Sequence, residues 1–451
     1  MKNLNMTIYA LSTPPGVSGI AIIRLSGKNS LSIAKEIVRG SIDKPRMAIL
    51  KNFYDSKKEI IDEGIVIWYP KGQSYTGDDL FEFHVHGSKA VINKFLNELS
   101  FRTDCQLAKP GEFTKQAFLN NKINLYEAES IADLLNAETE GQRVQALRLK
   151  NSSPLFMKWR DKILDVMSKC EAAIDFSEED LPANILEGND QKIKEICEEI
   201  DDMLGDHKIG EIIREGFKIA ILGAPNSGKS SFLNLMANRD AAIVSNMKGT
   251  TRDIIEVQFQ LKNLPIVLFD TAGIRATKNK VEKLGINLAL KKAKESNLNI
   301  LIIDGTQKKI PNEIKKLINE KSLLIINKQD KKSFNKNHYL KEILNKKFVG
   351  IHEFSTITKH GYNDFIKTLE VLVMTLYYNQ SNTLISRSRH RTLLTKTSIH
   401  LKKYLKISNS KDIEKVAEEL RIASNFLGEI VGFIGVEEVL GRIFKDFCVG
   451  K

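Results

Sequence analysis

The stretch FKIAILGAPNSGKS, residues 217–230, decides how the centre of this chain folds. An apolar strand runs directly into the pattern G-x-x-x-x-G-K-S, and a helical sequence follows it. Gly223 and Gly228 let the backbone turn so that successive N–H groups face phosphate oxygens at a helix N-terminus. Lys229 is placed to reach the outer phosphates, and the Ser230 hydroxyl is a ligand for Mg²⁺. The stretch therefore predicts a nucleoside triphosphate site.

Two motifs further along the chain predict contacts to the metal ion and the γ-phosphate. In GTTRD (249–253), Thr251 is a second candidate Mg²⁺ ligand that also senses the γ-phosphate. The strand PIVLFD (265–270) ends in Asp270, whose carboxylate is suited to orient Mg²⁺ through water. The Gly273 amide is placed to meet the γ-phosphate. Both motifs follow the phosphate loop in the order that a GTP-binding domain requires.

Two later motifs predict which base is bound. A buried strand ends in NKQD (327–330), and the Asp330 carboxylate matches the N1–H and the exocyclic amine of guanine. Adenine lacks that pair of donors, so this element selects GTP over ATP. A further strand, FVGIHEFS (348–355), leads to Ser355 and Thr356, whose backbone supports the base.

The residue after the Asp-x-x-Gly motif bears on hydrolysis. Ile274 stands where many small GTPases place a water-orienting glutamine. Glu282 is the candidate replacement, and its alternative interpretation is an exposed glutamate at a helix entry. Asn226 in the phosphate loop offers a side-chain oxygen that would hold a monovalent cation near the developing charge. Such a cation would do the electrostatic work of an arginine finger.

Length and composition predict a multidomain protein of the cytoplasm. A chain of 451 residues is too long for a single hydrophobic core. Its content of 42% apolar and 27% charged residues is typical of globular proteins. No apolar run of 18 residues or more occurs, and the first residues resemble neither a signal peptide nor a transit peptide. We therefore expect no membrane association. Four cysteines without a C-x-x-C pair argue against a disulfide framework or a zinc ribbon.

The formal net charge of +12 and the pI near 9.2 admit two interpretations. One is a polyanionic partner such as a nucleic acid. The other is a lysine-rich composition whose scattered charges reflect the base composition of the genome. The run SRSRHR (386–391) leaves the same choice between RNA phosphates and solvated surface. His84 and His86 would share one strand face, but no third metal ligand is evident, and structural roles are favoured.

Hydrophobic patterning along the chain predicts three parts. Short apolar or alternating runs and amphipathic helices make residues 1–120 a small α/β domain. Apolar spacing of three and four predicts a helical domain built from residues 121–212 and 380–451. Residues 213–379 alternate strand and helix, as the doubly wound parallel sheet of a Ras-like P-loop domain does. Since helical pattern flanks that unit on both sides, we expect it to be inserted into the helical domain.

Motifs in the flanking parts resemble those of the MnmE (TrmE) family of tRNA-modification GTPases. These motifs are TPPGVSGIAIIRLSG (13–27), YTGDDLFEFHVHG (75–87), PGEFTKQAFLNNKINLYEAESIADLL (110–135) and LGRIFKDFCVGK (440–451). The resemblance implies an N-terminal α+β domain that binds a folate and forms a homodimer, a helical domain, and an inserted GTPase domain. It implies GTP hydrolysis with Mg²⁺ and potassium-promoted dimerisation of the GTPase domains.

The resemblance also implies a reaction and a partner. With the flavoprotein MnmG, the protein would install an aminomethyl or carboxymethylaminomethyl group at C5 of the wobble uridine of certain tRNAs. The one-carbon unit would come from 5-formyl- or 5,10-methylene-tetrahydrofolate. Arg24, Glu82, Lys122 and Lys451 match the folate contacts, because a pterin edge suits a carboxylate and folate carboxylates suit Arg and Lys. Cys448 matches the family cysteine, and its part in one-carbon chemistry is a hypothesis.

The same resemblance completes the predicted nucleotide and cation site. Potassium ligands match the side chains of Asn226 and Thr250 and the backbone carbonyls of Ser245 and Met247. Glu282 matches the water-positioning residue, and with Lys229 it is the predicted catalytic group of hydrolysis. The full set of predicted contacts to GTP and its cations is Asn226, Ser227, Gly228, Lys229, Ser230, Ser231, Ser245, Asn246, Met247, Lys248, Gly249, Thr250, Thr251, Asp270, Thr271, Ala272, Gly273, Asn327, Lys328, Asp330, Ser355 and Thr356.

An alternative function is an RNA- or ribosome-assembly switch that hydrolyses GTP without one-carbon chemistry. It predicts an RNA-binding appendage such as a KH-like G-x-x-G module. It also leaves CVGK (448–451) and the N-terminal folate-like motifs without a role. Normal wobble uridines after depletion of the protein would favour this alternative.

Overall fold

The chain forms two compact units in the computed structural model. The first unit contains Met1–Asn136, Leu149–Cys197 and Lys396–Lys451, and the second contains Ala137–Arg148 and Glu198–Thr395. The domain boundaries expected near residues 120, 212 and 380 stay predictions. Within the described ranges, no helix is both long and apolar enough to cross a bilayer. The structure describes residues 6–175, 187–206, 208–237, 256–270, 293–343, 346–378, 383–410, 412–433, 447 and 450.

The first unit begins with a six-stranded sheet of order β3-β4-β5-β2-β1-β6. All neighbouring strands pair antiparallel except β1 and β6, which pair parallel. The rings of Phe53, Phe83 and Phe95 pack together at centroid distances of 5.1–5.7 Å, in a core that joins two helices to this sheet. The strands are β1 (Thr7–Leu11), β2 (Ser18–Ser26), β3 (Ile49–Tyr54), β4 (Ile60–Tyr69), β5 (Leu80–Gly87) and β6 (Cys105–Leu107), and the two helices are α1 (Ser30–Val38) and α2 (Lys89–Ser100).

Helices make up the rest of the first unit and part of the second. A capping box opens α4, because Asn124 Oδ1 accepts from Glu127 N at 2.9 Å and Glu127 Oε2 accepts from Asn124 N at 3.0 Å. Helices α6 and α14 pack against each other along their length. These helices are α3 (Glu112–Leu119), α4 (Leu125–Leu135), α5 (Glu140–Lys150), α6 (Ser153–Asp175), α7 (Asn189–Leu204), α8 (Ile209–Glu215), α13 (Ser388–Ile407) and α14 (Ile413–Val431).

The second unit contains a six-stranded sheet of order β12-β11-β10-β7-β9-β8. Its neighbours pair parallel, except that β8 and β9 form an antiparallel hairpin. Its strands and their helices are β7 (Phe217–Gly223), α9 (Lys229–Ala237), β8 (Glu256–Leu261), β9 (Leu264–Asp270), β10 (Leu298–Asp304), α10 (Asn312–Leu317), β11 (Ser322–Asn327), α11 (Asn337–Ile343), β12 (Gly350–Glu353) and α12 (Tyr362–Tyr378).

Both faces of the second sheet are covered, as its central strands require. Every residue of β11 is buried, and a strand buried on both faces reads as a continuous apolar run. Helices α9 and α12 pack on one face through Phe232 and Phe365, whose rings lie 5.4 Å apart. Helices α10 and α11 cover the other face through Ile314 and Tyr339. The predicted fold class, α+β and helical parts with a doubly wound P-loop unit, is confirmed.

Candidate functional site

The phosphate loop joins the carboxyl end of β7 to α9. Strand β7 lies between β10 and β9, so the chain crosses to both sides of it and leaves a crevice at its carboxyl end. Gly228 has a φ of +103°, and a Cβ there would lie 2.1 Å from Asn327 Nδ2. A Cβ on Gly223 would lie 2.4 Å from the Ile302 carbonyl oxygen. Both close approaches exclude any larger residue.

Polar groups of the loop are arranged to receive an anion. Lys229 Nζ donates to the carbonyl oxygens of Gly223 at 2.7 Å and Ala224 at 2.8 Å, so the ammonium lies back over the loop. Ser227 Oγ is buried and has no hydrogen-bond partner in the described part of the chain. Ser230 is exposed in the first turn of α9, where a helix N-terminus favours negative charge. These features fit a phosphate group in the loop.

Asn226 and Ser231 lie at the outer side of the loop. Asn226 is exposed and adopts a left-handed φ of +62°. An exposed side-chain amide at this position fits a cation ligand near the phosphates. Ser231 is also exposed, one residue further into α9.

Asp330 stands at the base-recognition end of the site. Its Oδ1 accepts a hydrogen bond from Ser355 Oγ at 2.7 Å. That bond lowers the pKa of the Asp330 carboxyl below its usual value, against a smaller opposing effect of burial. Ser355 is fully buried, and its Oγ also accepts from the Thr358 amide at 3.1 Å. Asp330 is therefore held ionised, as pairing with two guanine donors requires.

Asn327 joins the two ends of the site. Its Nδ2 donates to the Ser227 carbonyl at 2.9 Å, and its Oδ1 accepts from the Thr356 amide at 3.3 Å. The side chain is only 1% exposed, so these bonds are protected from water. The phosphate loop and the two base loops, which are about a hundred residues apart in sequence, are thus brought together by one amide.

Sequence reasoning missed Asp304, which fixes the side chain of Lys328. Lys328 Nζ lies 2.6 Å from Asp304 Oδ2, and Thr306 donates to Asp304 Oδ1 through its amide and hydroxyl. Burial raises the pKa of Asp304, but the hydrogen bonds from Lys328 and Thr306 outweigh it and the net pKa is lowered. The signal was the strand end Asp-Gly-Thr (304–306), a pattern typical of a turn.

Several predicted contacts to the nucleotide, the cations and the folate lie wholly or partly outside the described residues. Asp270 closes β9, with its Cα paired to Ile221 of β7, but the structure describes only its backbone. The others lie outside the described residues, and they are Ser245, Asn246, Met247, Lys248, Gly249, Thr250, Thr251, Thr271, Ala272, Gly273, Glu282, Cys448 and Lys451.

A second polar site lies on the N-terminal sheet. Arg24 of β2 and Glu82 of β5 are directly opposite each other, and Arg24 Nε donates to Glu82 Oε1 at 2.8 Å. The carbonyl oxygen of Gly450 accepts from Arg24 Nη1 at 3.2 Å and from Ser12 Oγ at 3.1 Å. The C-terminal end of the chain is therefore seated beside the Arg24–Glu82 pair. An arginine and a carboxylate side by side fit a ligand with an amide-like edge and a carboxylate.

Within the described part of the chain, Lys122 makes no hydrogen bond or ion pair with Arg24 or Glu82. Its Nζ donates to the Gly72 carbonyl at 2.9 Å, and the side chain is exposed. Lys122 thus supports the loop that follows β4, and its predicted folate contact stays a prediction.

Two other polar motifs have structural partners. Arg391 of the SRSRHR run is bound by Asp206 at 2.5 Å and Glu211 at 3.0 Å, which directs it inward. His86 Nδ1 lies 2.9 Å from Asp62, and His84 Nε2 lies 3.6 Å from Glu82. Among the residues that the structure describes, no group of three or more side chains suited to hold a metal ion occurs.

Comparisons with known proteins cover the whole chain. Residues 7–122 match the family model described as GTP-binding protein TrmE N-terminus, and residues 125–448 match the one described as MnmE helical domain. The tRNA modification GTPase MnmE of Pelagibacter ubique (strain HTCC1062) is 46% identical over 455 residues, covering 99% of this chain and 100% of that protein.

Two further relatives bear the same name. The protein of Rickettsia prowazekii (strain Madrid E) is 38% identical over 451 residues, 99% of this chain and 100% of its own length. The protein of Wolbachia sp. subsp. Drosophila simulans (strain wRi) is 40% identical over 462 residues and covers 100% of both chains. With matches of this extent on top of the site geometry, the chain belongs to the MnmE (TrmE) family.

Proposed function

We propose that the chain is a GTP hydrolase that acts in tRNA modification. The observation that carries the proposal is the Asn327 bridge, which brings the phosphate loop to the loop that holds Asp330. The names of the full-length relatives support the tRNA part of the proposal. The substrate is GTP, the metal ion is Mg²⁺, and the site of action is the cytoplasm.

Each residue of the site has a part in this proposal. The loop amides and Lys229 bind the β- and γ-phosphates, and release of Lys229 from the Gly223 and Ala224 carbonyls accompanies binding. Asp330, oriented by Ser355, pairs with guanine. Ser230 and Thr251 would hold Mg²⁺, which neutralises charge that develops on the phosphates. Glu282 orients the attacking water, since Ile274 cannot.

Potassium forms a second part of the proposal. Asn226, Thr250 and the carbonyls of Ser245 and Met247 would hold K⁺ beside the phosphates, and the GTPase domains of two chains would meet there. Among these groups, the exposed position of Asn226 supports the assignment. The cation supplies positive charge where an arginine finger would otherwise stand.

We assign the modification chemistry to a site on the N-terminal sheet. Arg24 and Glu82, with Lys122 and Lys451, would bind a 5-formyl- or 5,10-methylene-tetrahydrofolate within a homodimer, and Cys448 would take part in one-carbon transfer. The seating of Gly450 on Arg24 supports this, because it brings the C-terminal motif to the pair. MnmG is the proposed flavoprotein partner, and the product carries an aminomethyl or carboxymethylaminomethyl group at C5 of the wobble uridine.

The test of the hydrolytic part is a GTPase assay in potassium and in sodium. We expect the rate to fall in sodium, and Asn226→Ala to lower the potassium rate toward the sodium rate. Equal rates in the two cations would refute the potassium assignment, and absence of GTP binding with Mg²⁺ would refute the function.

The test of the modification part is nucleoside analysis after depletion, with folate retention by the purified protein. Loss of modified wobble uridines supports the proposal. Normal wobble uridines, with no folate retained, would favour the RNA- or ribosome-assembly switch.

A further inference from the structure

Positive charge is dense in two segments of the chain. Residues 301–350 contain twelve lysines and five acidic residues, a sum of +7, and residues 381–410 contain seven lysines and arginines and no acidic residue, also a sum of +7. A general lysine-rich composition would spread that excess along the chain. Both segments hold more positive charge than an even spread would give them, and residues 301–350 owe it to lysine alone.

Four lysines of residues 301–350 form a surface that we name the lysine ridge. They are Lys308, Lys309, Lys331 and Lys332. All four are exposed. Other lysines nearby have carboxylate partners, such as Lys328 with Asp304 and Lys336 with Glu353, both at 2.6 Å. No carboxylate of the described residues lies within ion-pair distance of the ridge ammonium groups. None of the four is thus held in an ion pair of the described residues, although Lys331 lies close enough to Asp330 to help lower the pKa of that carboxyl.

The ridge stands on two loops that leave the same edge of the sheet. Lys308 and Lys309 follow β10, and Lys331 and Lys332 follow β11; the two strands pair in parallel, with Asp304 opposite Asn327. The loops are bonded to each other, because Asn335 N donates to the Gly305 carbonyl at 3.1 Å.

Two further contacts keep this part of the sheet edge in place. The Gly305 amide donates to the Asn327 carbonyl at 2.9 Å, and Tyr339 Oη donates to the Asp304 carbonyl at 2.8 Å. A Cβ on Gly305 would lie 2.4 Å from the Phe334 ring, so the loops are also closely packed. The four charges are therefore carried on a fixed platform.

We propose that the lysine ridge binds the phosphate backbone of RNA, which on the proposed function is tRNA. Ammonium groups are point charges that suit phosphates and position a nucleic acid without reading its bases. Protein partners are held by buried apolar anchors, and none of the exposed large apolar side chains of the described residues lies between 305 and 335. RNA is thus favoured over an acidic protein.

The test compares two sets of four Lys→Gln substitutions in the full chain. The ridge variant changes Lys308, Lys309, Lys331 and Lys332. The matched control removes the same charge from the helices and loops around the N-terminal sheet. It changes four lysines that are exposed and have no ion pair among the described residues, namely Lys35, Lys44, Lys57 and Lys89. Binding of a fluorescent tRNA is measured against NaCl at fixed KCl and GDP.

We expect the ridge variant to lose about tenfold or more in tRNA affinity near 0.1 M salt. The slope of log affinity against log salt should fall by about three, since each lost phosphate contact removes about 0.7–0.9. The control should change affinity by less than about twofold. Fluorescent GDP should bind both variants as it binds the wild type, which shows that the nucleotide site is intact.

Three results would overturn the proposal. The first is a tRNA affinity of the ridge variant equal to that of the wild type, and the second is an equal loss of tRNA affinity in the ridge and control variants. The third is a loss of MnmG capture while tRNA affinity stays intact, which would make the ridge a protein-binding face. Failure of the proposed function looks different. Wobble uridines would then be normal after depletion, whatever the ridge variant does to RNA affinity.

Discussion

A single hydroxyl prepares Asp330 for its part in base selection. The Ser355 hydrogen bond lowers the carboxyl pKa below its usual range, so the group is ionised at neutral pH. Because the Asp330 side chain is exposed, this bond serves orientation and charge, with little effect on the stability of the fold. A carboxylate offers acceptors only, and guanine offers the matching donors.

Exchange of Asp330 for Asn is expected to change the preferred base. An amide would donate toward C2 of the purine, where xanthine has a carbonyl and guanine has an amine. GTP affinity should fall by about a hundredfold or more and XTP should become the tighter ligand, measured by displacement of a fluorescent nucleotide. Similar losses for GTP and XTP would contradict the assigned contact.

Gly228 is required by its surroundings as well as by its backbone angle. Gly228→Ala would place a Cβ 2.1 Å from Asn327 Nδ2. Asn327 would have to move, and its hydrogen bonds to the phosphate loop and to the Thr356 amide would break. We expect GTP affinity to fall by about tenfold or more, since a bridging buried hydrogen bond is worth roughly 1–3 kcal/mol.

The matched control for Gly228 is Gly188→Ala. Gly188 also has a positive φ, +74°, but nothing lies within 4 Å of the position of a Cβ. This variant should bind GTP normally in the same titration. If both variants lost affinity alike, backbone strain and not the Asn327 contact would be the cause.

Strands and helices followed the patterns from which they were predicted, with shifts at their ends. The buried strand predicted to end in NKQD (327–330) is β11, Ser322–Asn327, and the helix predicted after the phosphate loop is α9, Lys229–Ala237. The run 124–150, whose apolar spacing predicts part of a helical hairpin or bundle, is divided between α4 and α5. Asn136 ends α4, and its side chain accounts for the break by bonding back to the Ala132 carbonyl at 2.9 Å.

His352 makes the edge strand β12 sensitive to acid. Burial lowers its pKa below the usual 6.5, with a smaller opposing effect of Asp364. The unfolded chain therefore binds the proton first, and the free energy of unfolding falls as pH drops from 6.5 toward the folded pKa. His352→Gln should remove this loss, at most about 1.4 kcal/mol per pH unit.

Urea titrations of GDP-bound chain between pH 5 and 7.5, followed by release of a fluorescent nucleotide, measure the effect of His352. The wild type and the variant should agree above pH 7 and diverge below 6.5. Parallel curves over the whole range would show that His352 does not titrate in this window.

At the scale of the whole molecule, the C-terminal end is part of the N-terminal site. Gly450 has a φ of +97°, and a Cβ there would lie 2.6 Å from the Leu11 carbonyl oxygen. Its own carbonyl accepts from Arg24, 426 positions earlier in the chain. The contact between the C-terminal end and Arg24 thus depends on a glycine at position 450, where a side chain would collide with the Leu11 carbonyl.

Gly450→Val is expected to unseat the tail from Arg24. Retention of 5-formyl-tetrahydrofolate by the purified chain should fall by about tenfold or more, because the loss of one partly buried hydrogen bond to a charged group costs roughly 1.5–3 kcal/mol. GTP hydrolysis should stay within about twofold, since the variant leaves the phosphate loop untouched. A fall in hydrolysis with folate retention unchanged would contradict this assignment.

The sequence by itself determined the doubly wound unit, the phosphate loop and the guanine motif, because these depend on local patterns of strand, turn and helix. Arg24 and Glu82 were found only by resemblance, since isolated charges at strand ends carry no signal of a partner. The tertiary structure decided the Asn327 bridge, the Asp304 partner of Lys328 and the seat of Gly450. Each of these joins residues distant in sequence, and their distance and burial exist only once the sheets have formed.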